Sequence, residues 1–100
     1  MRAFRSLAAN QSTASSTASQ EVVLNRDGLG VRVIRFANIG TVPVFIEFGF
    51  GAGVTAAAAT SFVIPINTVE YIAIPNNCDR YDLIASGGGS TLYSTVGELV

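Results

Sequence analysis

From Glu21 onward, the chain consists of short runs rich in valine, isoleucine, phenylalanine and tyrosine, each closed by glycine, proline or asparagine. Such runs are typical of β-strands, and the residues between them are typical of turns. The helix-favouring residues 56–59 are too few to nucleate a helix. The pattern predicts an all-β protein, an antiparallel β-sandwich of jelly-roll-like or immunoglobulin-like type with about seven short strands. The predicted strands span residues 21–24, 31–38, 42–49, 62–64, 69–74, 81–86 and 91–96.

The first twenty residues differ in composition from the rest of the chain. Residues 11–19 contain only glutamine, serine, threonine and alanine. Side chains this small bury little surface and do not offset the backbone entropy that is lost on ordering. We therefore predict that residues 1–20 form an extended low-complexity arm and that residues 21–100 form the β-sandwich domain. Such an arm becomes ordered against another surface, which is either a neighbouring subunit or its own domain.

Charged residues are scarce in this sequence. They make up 13% of the chain, against roughly 25% in a typical soluble domain, while apolar residues make up 49%. Lysine is absent, and the mean hydropathy is +0.45. A free monomer relies on surface charge to stay apart from its neighbours. The composition therefore predicts a structural subunit of a larger assembly, with much of its surface covered by other subunits.

The uncharged residues 48–69 are numerous enough to cross a bilayer, but their glycines and Pro65 would break a helix. We therefore predict no membrane partner. The N-terminus lacks the apolar core of a signal peptide, so export is not expected.

Net charge is −1 and the six arginines are scattered, which argues against nucleic acid as a partner. The single cysteine, Cys78, fits a reduced intracellular environment.

The sequence offers few residues for chemistry. It has no histidine and one thiol, which excludes histidine-dependent triads and zinc sites made of cysteine and histidine. Asp79 and Asp82 lie close together, but a turn and a polar strand face explain them. Asn76, Asn77 and Asp79 carry the oxygen ligands that calcium uses, yet these residues are ordinary turn formers. We predict no catalytic residue, no cofactor, no metal site and no enzymatic activity.

Two glycine-rich stretches and one aromatic group were weighed as binding sites. Residues 49–53 are not followed by a lysine or a helix, so they do not form a phosphate-binding loop. Residues 87–89 predict a tight hairpin turn that tolerates positive φ. Phe45, Phe48 and Phe50 form either a stacking platform for a sugar or base, or part of a core or subunit interface. The second interpretation is favoured.

Two segments resemble the hairpins of small bacteriophage virion structural proteins. They are residues 31–49, VRVIRFANIGTVPVFIEFG, and residues 84–98, IASGGGSTLYSTVGE. The resemblance implies a capsid decoration (cement) protein that binds and stabilises the shell of the major capsid protein or other virion proteins. It further implies a homo-oligomer, with a trimer favoured, located in the virion and assembled in the host cytoplasm. The alternatives are a neck, tail or fibre component of the virion, or a carbohydrate-binding β-sandwich module.

Overall fold

A computed structural model describes residues 4–7, 10–24, 33–51, 56, 61–75 and 77–99. These residues form two antiparallel sheets that pack face to face, which confirms the prediction of an all-β sandwich. The described residues contain nine strands, whereas about seven were predicted, because two further strands lie in the first twenty residues. The strands are β1 Phe4–Ser6, β2 Gln11–Ala14, β3 Gln20–Val23, β4 Val33–Gly40, β5 Val44–Gly49, β6 Phe62–Ile64, β7 Thr68–Ala73, β8 Arg80–Ala85 and β9 Ser90–Leu99.

The strand order identifies which kind of sandwich this is. In sheet A, β9 pairs with β4 on one side and with both β1 and β2 on the other, and β7 lies beyond β4. Sheet B has the order β3-β8-β5-β6. The pairs β2 with β9, β3 with β8, β4 with β7 and β5 with β6 are nested in one another, as in a long antiparallel ribbon wound into two sheets. This is the jelly-roll arrangement.

Both segments that were taken for hairpins connect the two sheets instead. β4 belongs to sheet A and β5 to sheet B, while β8 belongs to sheet B and β9 to sheet A. The turn residues have the expected chemistry, since Gly89 has a φ of +117° and Pro43 directly precedes β5. The same short turn can join paired strands or carry the chain between sheets. Which of the two occurs depends on the distant strands that each β-strand finds as partners.

The core lies between the inward faces of the two sheets. Strand alternation directs every second side chain inward, so Ile34 and Phe36 of β4 face Tyr81 and Leu83 of β8. The rings of Phe36 and Tyr81 meet edge to face, with centroids 5.1 Å apart and planes at 89°. Each fully buried aliphatic or aromatic side chain contributes roughly 1.5–3 kcal/mol by leaving water. The core cluster contains Val22, Leu24, Ile34, Phe36, Val44, Ile46, Ile64, Ile74, Tyr81, Leu83, Ala85, Leu92 and Val96.

Tyr81 is a buried polar group whose hydroxyl is satisfied within the core. It donates a hydrogen bond of 2.7 Å to Ser94 Oγ of β9, which joins the two sheets. Burial raises the pKa of Tyr81 to about 12, because the low-polarity core disfavours the phenolate. The phenol proton is therefore held more tightly in the folded protein than in the unfolded chain.

We expect the folding stability to decline as the pH rises from 10.0 towards about 12, since the unfolded chain then loses the Tyr81 proton first. Titration followed by phenolate absorbance should show one tyrosine that ionises only as the protein unfolds. Tyr81→Phe should remove that component and cost about 1 kcal/mol, because Ser94 loses its partner. A titration of Tyr81→Phe that superimposes on that of the wild type would contradict this assignment.

Asn38 is the second polar link between the sheets, and it is completely buried. Its amide nitrogen donates to Val42 O and Ile64 O, each at 3.0 Å, and to Pro65 O at 3.3 Å. One side chain of β4 thus satisfies carbonyl groups in the β4–β5 connection and at the end of β6. Within the described residues, Asn38 Oδ1 has no hydrogen-bond partner.

Asn38→Asp is expected to lower the free energy of unfolding by at least about 3 kcal/mol, because it places a carboxylate among carbonyl oxygens without a donor. Chemical denaturation measures the effect. Asn10→Asp is the matched control, since Asn10 is exposed and its Oδ1 accepts a hydrogen bond from the Thr95 hydroxyl. Equal denaturation midpoints for the two variants would show that the Asn38 contacts contribute nothing.

Candidate assembly interface

The N-terminal segment, predicted to be an extended arm, lies on β9 of its own chain. β1 is paired with residues 97–99 of that strand and β2 with residues 91–94. The connections are also hydrogen-bonded, because Leu7 N donates to Val96 O at 2.9 Å and Ser15 N donates to Ser90 O at 2.8 Å. Main-chain pairing therefore orders a segment whose side chains bury little surface. Whether residues 21–100 fold without the first twenty stays a prediction.

Gly97 makes room for β1 at the end of β9. A Cβ atom at Gly97 would lie 2.5 Å from Phe4 Cζ, much closer than real Cβ contacts allow. The Phe4 ring continues across sheet A to Tyr71, with ring centroids 5.4 Å apart. Arg5 donates to Glu98 Oε1 at 2.8 Å, but the Arg5 side chain is 62% exposed, and such ion pairs contribute about 0–1 kcal/mol.

Gly97→Ala is expected to displace β1, because its methyl group would occupy the position of the Phe4 ring. The Leu7 amide should then exchange its hydrogen at least about tenfold faster in native-state NMR measurements, as local opening becomes easier. Gly88→Ala is the matched control, since a Cβ there would have Ser15 O at 3.8 Å as its nearest neighbour. Unchanged protection of Leu7 in Gly97→Ala would rule out this account of β1 docking.

Several exposed apolar side chains lie along the opposite edge of the sandwich. β6 is an edge strand of sheet B and β7 is an edge strand of sheet A, and the two contact each other. The large apolar side chains along them are between 38% and 51% exposed, and exposed apolar groups at one edge mark a contact site for another molecule. Val69 and Tyr71 lie on the outer face of sheet A, Val63 on the outer face of sheet B, Phe62 on the inner face of sheet B and Ile66 in the β6–β7 connection. We call these five residues the β6–β7 band.

Glu70 is the charged residue of β7. Val69 and Tyr71 are exposed on the outer face of β7, so strand alternation turns Glu70 towards the inner face, opposite Phe36 in the register. An inward-pointing charge on an edge strand discourages unselective pairing with other strands. The outer face of β7 is therefore apolar, while its inner face carries one charge.

The carboxylates of sheet B hold the connection between β5 and β6. Ala56 N donates to Asp82 Oδ2 at 2.6 Å, the Ser61 hydroxyl donates to Glu47 Oε1 at 3.0 Å, and Gly51 N donates to Asp79 Oδ1 at 3.2 Å. Asp82 lies on the outer face of β8 yet is buried, because the chain at Ala56 covers it. Asp79 and Asp82, which were weighed as an acid pair, thus anchor two different points of this connection.

A further ion cluster forms where β8 begins. Arg80 donates to both carboxylate oxygens of Asp79, at 2.9 and 3.1 Å, and to Glu21 Oε1 at 2.8 Å. The hydrogen bonds from Arg80 hold the pKa of Asp79 below its usual value, although desolvation opposes the shift. The pKa of Arg80 is raised by Asp79 first and by Glu21 second. These groups satisfy one another and tie β3 to β8.

The remaining candidate residues do not converge on one site. Phe48 stacks on Phe62, with centroids 5.8 Å apart, and packs against the core, whereas Phe50 is 74% exposed and Phe45 points to the other face of β5. The three phenylalanines therefore form no stacking platform. Cys78 is half-buried against the core.

Of the possible calcium ligands, Asn76 lies outside the described residues, and Asn77 adopts a turn conformation with a φ of 64°. Residues 52–55 and 57–60 also lie outside the described residues. They include part of the glycine-rich stretch 49–53 and most of the helix-favouring residues 56–59. Among the described residues, no group of three or more acidic or cysteine side chains is arranged to hold a metal ion. The described residues include no helix long and apolar enough to cross a membrane.

Comparison with known proteins gives one informative result. No protein-family model matches the sequence, and no curated protein matches it either. A solved structure from Bacillus endospore appendages, described as a novel family of disulfide-linked pili, matches 100% of this chain and 91% of its own chain. The TM-score is 0.62 and the sequence identity is 13%. The two chains share a fold.

This comparison overturns the functional prediction made from the sequence. The bacteriophage capsid decoration protein, with its neck, tail or fibre alternative, is wrong, because the fold relative is described as a pilus and not as a virion protein. The carbohydrate-binding alternative is set aside with it, and a capsid partner or a trimer has no support. The resemblance rested on turn-rich segments, and turns of that kind occur in any sandwich with short connections.

Proposed function

We propose that this chain is a non-enzymatic structural subunit that assembles with copies of itself into a pilus-like filament. The observation that carries the proposal is the β6–β7 band, a largely uncharged apolar surface along two free sheet edges. A second copy that covers this band removes apolar area from water at roughly 25 cal/mol per Å². The fold shared with a pilus protein supports the same function, as does the scarcity of charge in the composition.

The band lies on one side of the sandwich, which favours an open polymer over a closed dimer if another surface of the next copy covers it. Heterologous contacts of this kind repeat from subunit to subunit and generate filaments when the rotation does not close. The free edges of β3 and of β1 and β2 lie on the opposite side from β6 and β7. The subunit therefore presents different surfaces on the two opposite edges of its sandwich.

The filament should differ from its fold relative in one respect, which is the bond between subunits. That relative is described as disulfide-linked, whereas this sequence contains one cysteine, half-buried Cys78. A single thiol can bond to one other thiol, so it joins two chains and cannot continue a covalent polymer. Non-covalent contacts, above all those of the β6–β7 band, then hold the filament together.

Val69→Glu is expected to abolish assembly, because it places a carboxylate among the apolar side chains that the next copy covers. Sedimentation and negative-stain electron microscopy of the purified chain, with and without reductant, measure polymer formation. Val23→Glu is the matched control, since it makes the same change on edge strand β3, away from the band, where Val23 is 57% exposed against 43% for Val69. Wild-type and Val23→Glu proteins should both polymerise in either condition.

The proposal fails if the wild-type chain stays monomeric up to its solubility limit. It also fails if Val69→Glu polymerises as well as Val23→Glu, because the band would then play no part in the contact. Polymer that disappears on reduction would contradict the non-covalent linkage but not self-assembly itself.

A further inference from the structure

The N-terminal segment contributes little apolar surface to the fold. Along the described chain the core cluster begins at Val22, and Ser15 is the one buried residue among those described before it. The Ser15 hydroxyl donates to Gly87 O at 2.9 Å and accepts a hydrogen bond from Ser90 N at 3.1 Å. Hydrogen bonds, rather than apolar burial, therefore hold most of this segment. We call β1, β2 and residues 15–16 the arm strands.

Most hydrogen bonds of the arm strands join main-chain groups. β1 and β2 pair with β9, the Ser15 amide donates to Ser90 O at 2.8 Å, and Ser16 O accepts a hydrogen bond from the Ala85 amide at 2.9 Å. Every copy of the chain has the same β9 and the same β8–β9 connection, so a second copy offers these groups in the same positions. The outer edge of β9 is thus a binding site for an extended strand, and the subunit's own arm strands fill it.

Residues 17–19 connect the arm strands in sheet A to β3 in sheet B, and all three are exposed. The hydrogen bond from Ala18 N to Ser16 Oγ, at 3.1 Å, is local to this connection. Three extended residues cover about 10 Å, which is also the distance between two packed sheets. Residues 17–19 are therefore a short hinge. When bent, it returns the arm strands to their own sheet A, and when straightened, it reaches a neighbouring molecule.

Two glutamine side chains close the edge of the sandwich between β2 and β3. Gln11 Nε2 donates to Val23 O at 3.4 Å, and Gln20 Nε2 donates to Ala14 O at 2.8 Å. Both acceptors are main-chain oxygens, so the same bonds form when β2 comes from a second copy, and Val23→Glu leaves them in place. β2 carries no charge, and an uncharged edge strand lacks the usual protection against pairing with another chain.

We infer that two copies exchange their arm strands, so that β9 of each copy pairs with β1 and β2 of the other. This inference rests on the proposed self-assembly and supplies a second contact for the filament. The exchange keeps the hydrogen bonds of the arm strands and changes the direction of the hinge. It joins the two copies in a two-fold pair. The β6–β7 bands lie on the far side of each copy and remain available for the contact that continues the filament.

Cysteines at positions 14 and 91 test the exchange, because Ala14 and Thr91 are partners in the β2–β9 register. Paired residues of antiparallel strands have Cα atoms about 4.5–5.5 Å apart, a distance that a disulfide bridges. The variant Ala14→Cys/Thr91→Cys also carries Cys78→Ala, which removes the single native thiol. Polymer of this variant, treated with a mild oxidant, should run as covalent dimers on a non-reducing gel, since each disulfide joins two copies.

Oxidation of the same variant before assembly, at a concentration where it is monomeric, should instead close the disulfide within one chain. The arm strands are then fixed to their own β9. We expect the polymer yield to fall at least about tenfold, because the filament loses one of its two contacts. Reductant should restore the yield.

Ile39→Cys/Thr91→Cys, also with Cys78→Ala, is the matched control, because Ile39 of β4 is the partner of Thr91 on its other side. Its disulfide forms within one chain in monomer and polymer alike. This control should therefore give single chains on the gel and should polymerise whether it is oxidised before or after assembly. Circular dichroism and the unfolding midpoint establish that both variants are folded.

Single chains from the oxidised polymer of Ala14→Cys/Thr91→Cys would overturn the arm exchange and leave self-assembly intact. A full polymer yield after oxidation of the monomer would overturn it in the same way. A wild-type chain that stays monomeric would overturn the proposed function, and the inference with it.

Discussion

The pairing of β9 with its neighbours is the interaction on which the rest of the fold depends. This strand pairs with all eight residues of β4 on one side and with β1 and β2 on the other, so it joins the N-terminal strands of sheet A to the centre of the sheet. Most of the chain separates β1 and β2 from β9, and the contacts of these strands must offset the entropy of closing so long a loop. Gly97 belongs to this strand because β1 approaches it too closely for a side chain.

The few polar groups of the chain are used mainly to hold its connections. Asn38 binds carbonyl groups in the β4–β5 connection and at the end of β6, and the carboxylates of Glu47, Asp79 and Asp82 bind the chain between β5 and β6. A polar side chain that binds the protein in this way contributes little to the solubility of the surface. The edges β6 and β7 are thereby left largely apolar, which is unfavourable for a free monomer and favourable for a subunit of an assembly.

The fold class and seven of the strands could be predicted from the sequence, because these strands show an alternation or a run of apolar residues within their own few positions. The range 62–64 was predicted as it occurs, and most of the other predicted strands differ by one or two residues at their ends. β1 was missed because its three residues are too few to show such a pattern, and β2 because its small and polar side chains carry none. Main-chain hydrogen bonds to β9 order them, and those bonds do not depend on residue type.

The sequence by itself determined that the chain is all-β, poor in charge and without the residues of common catalytic sites. Only the tertiary structure decided that its strands follow the jelly-roll order, that the two supposed hairpins cross between sheets, and that β6 and β7 meet at one edge of the sandwich. It also decided that Asp82 is buried although it points outward. The physical reason is that the local sequence determines where a strand forms, whereas the strands that pair with it and the segments that cover it are distant in the chain.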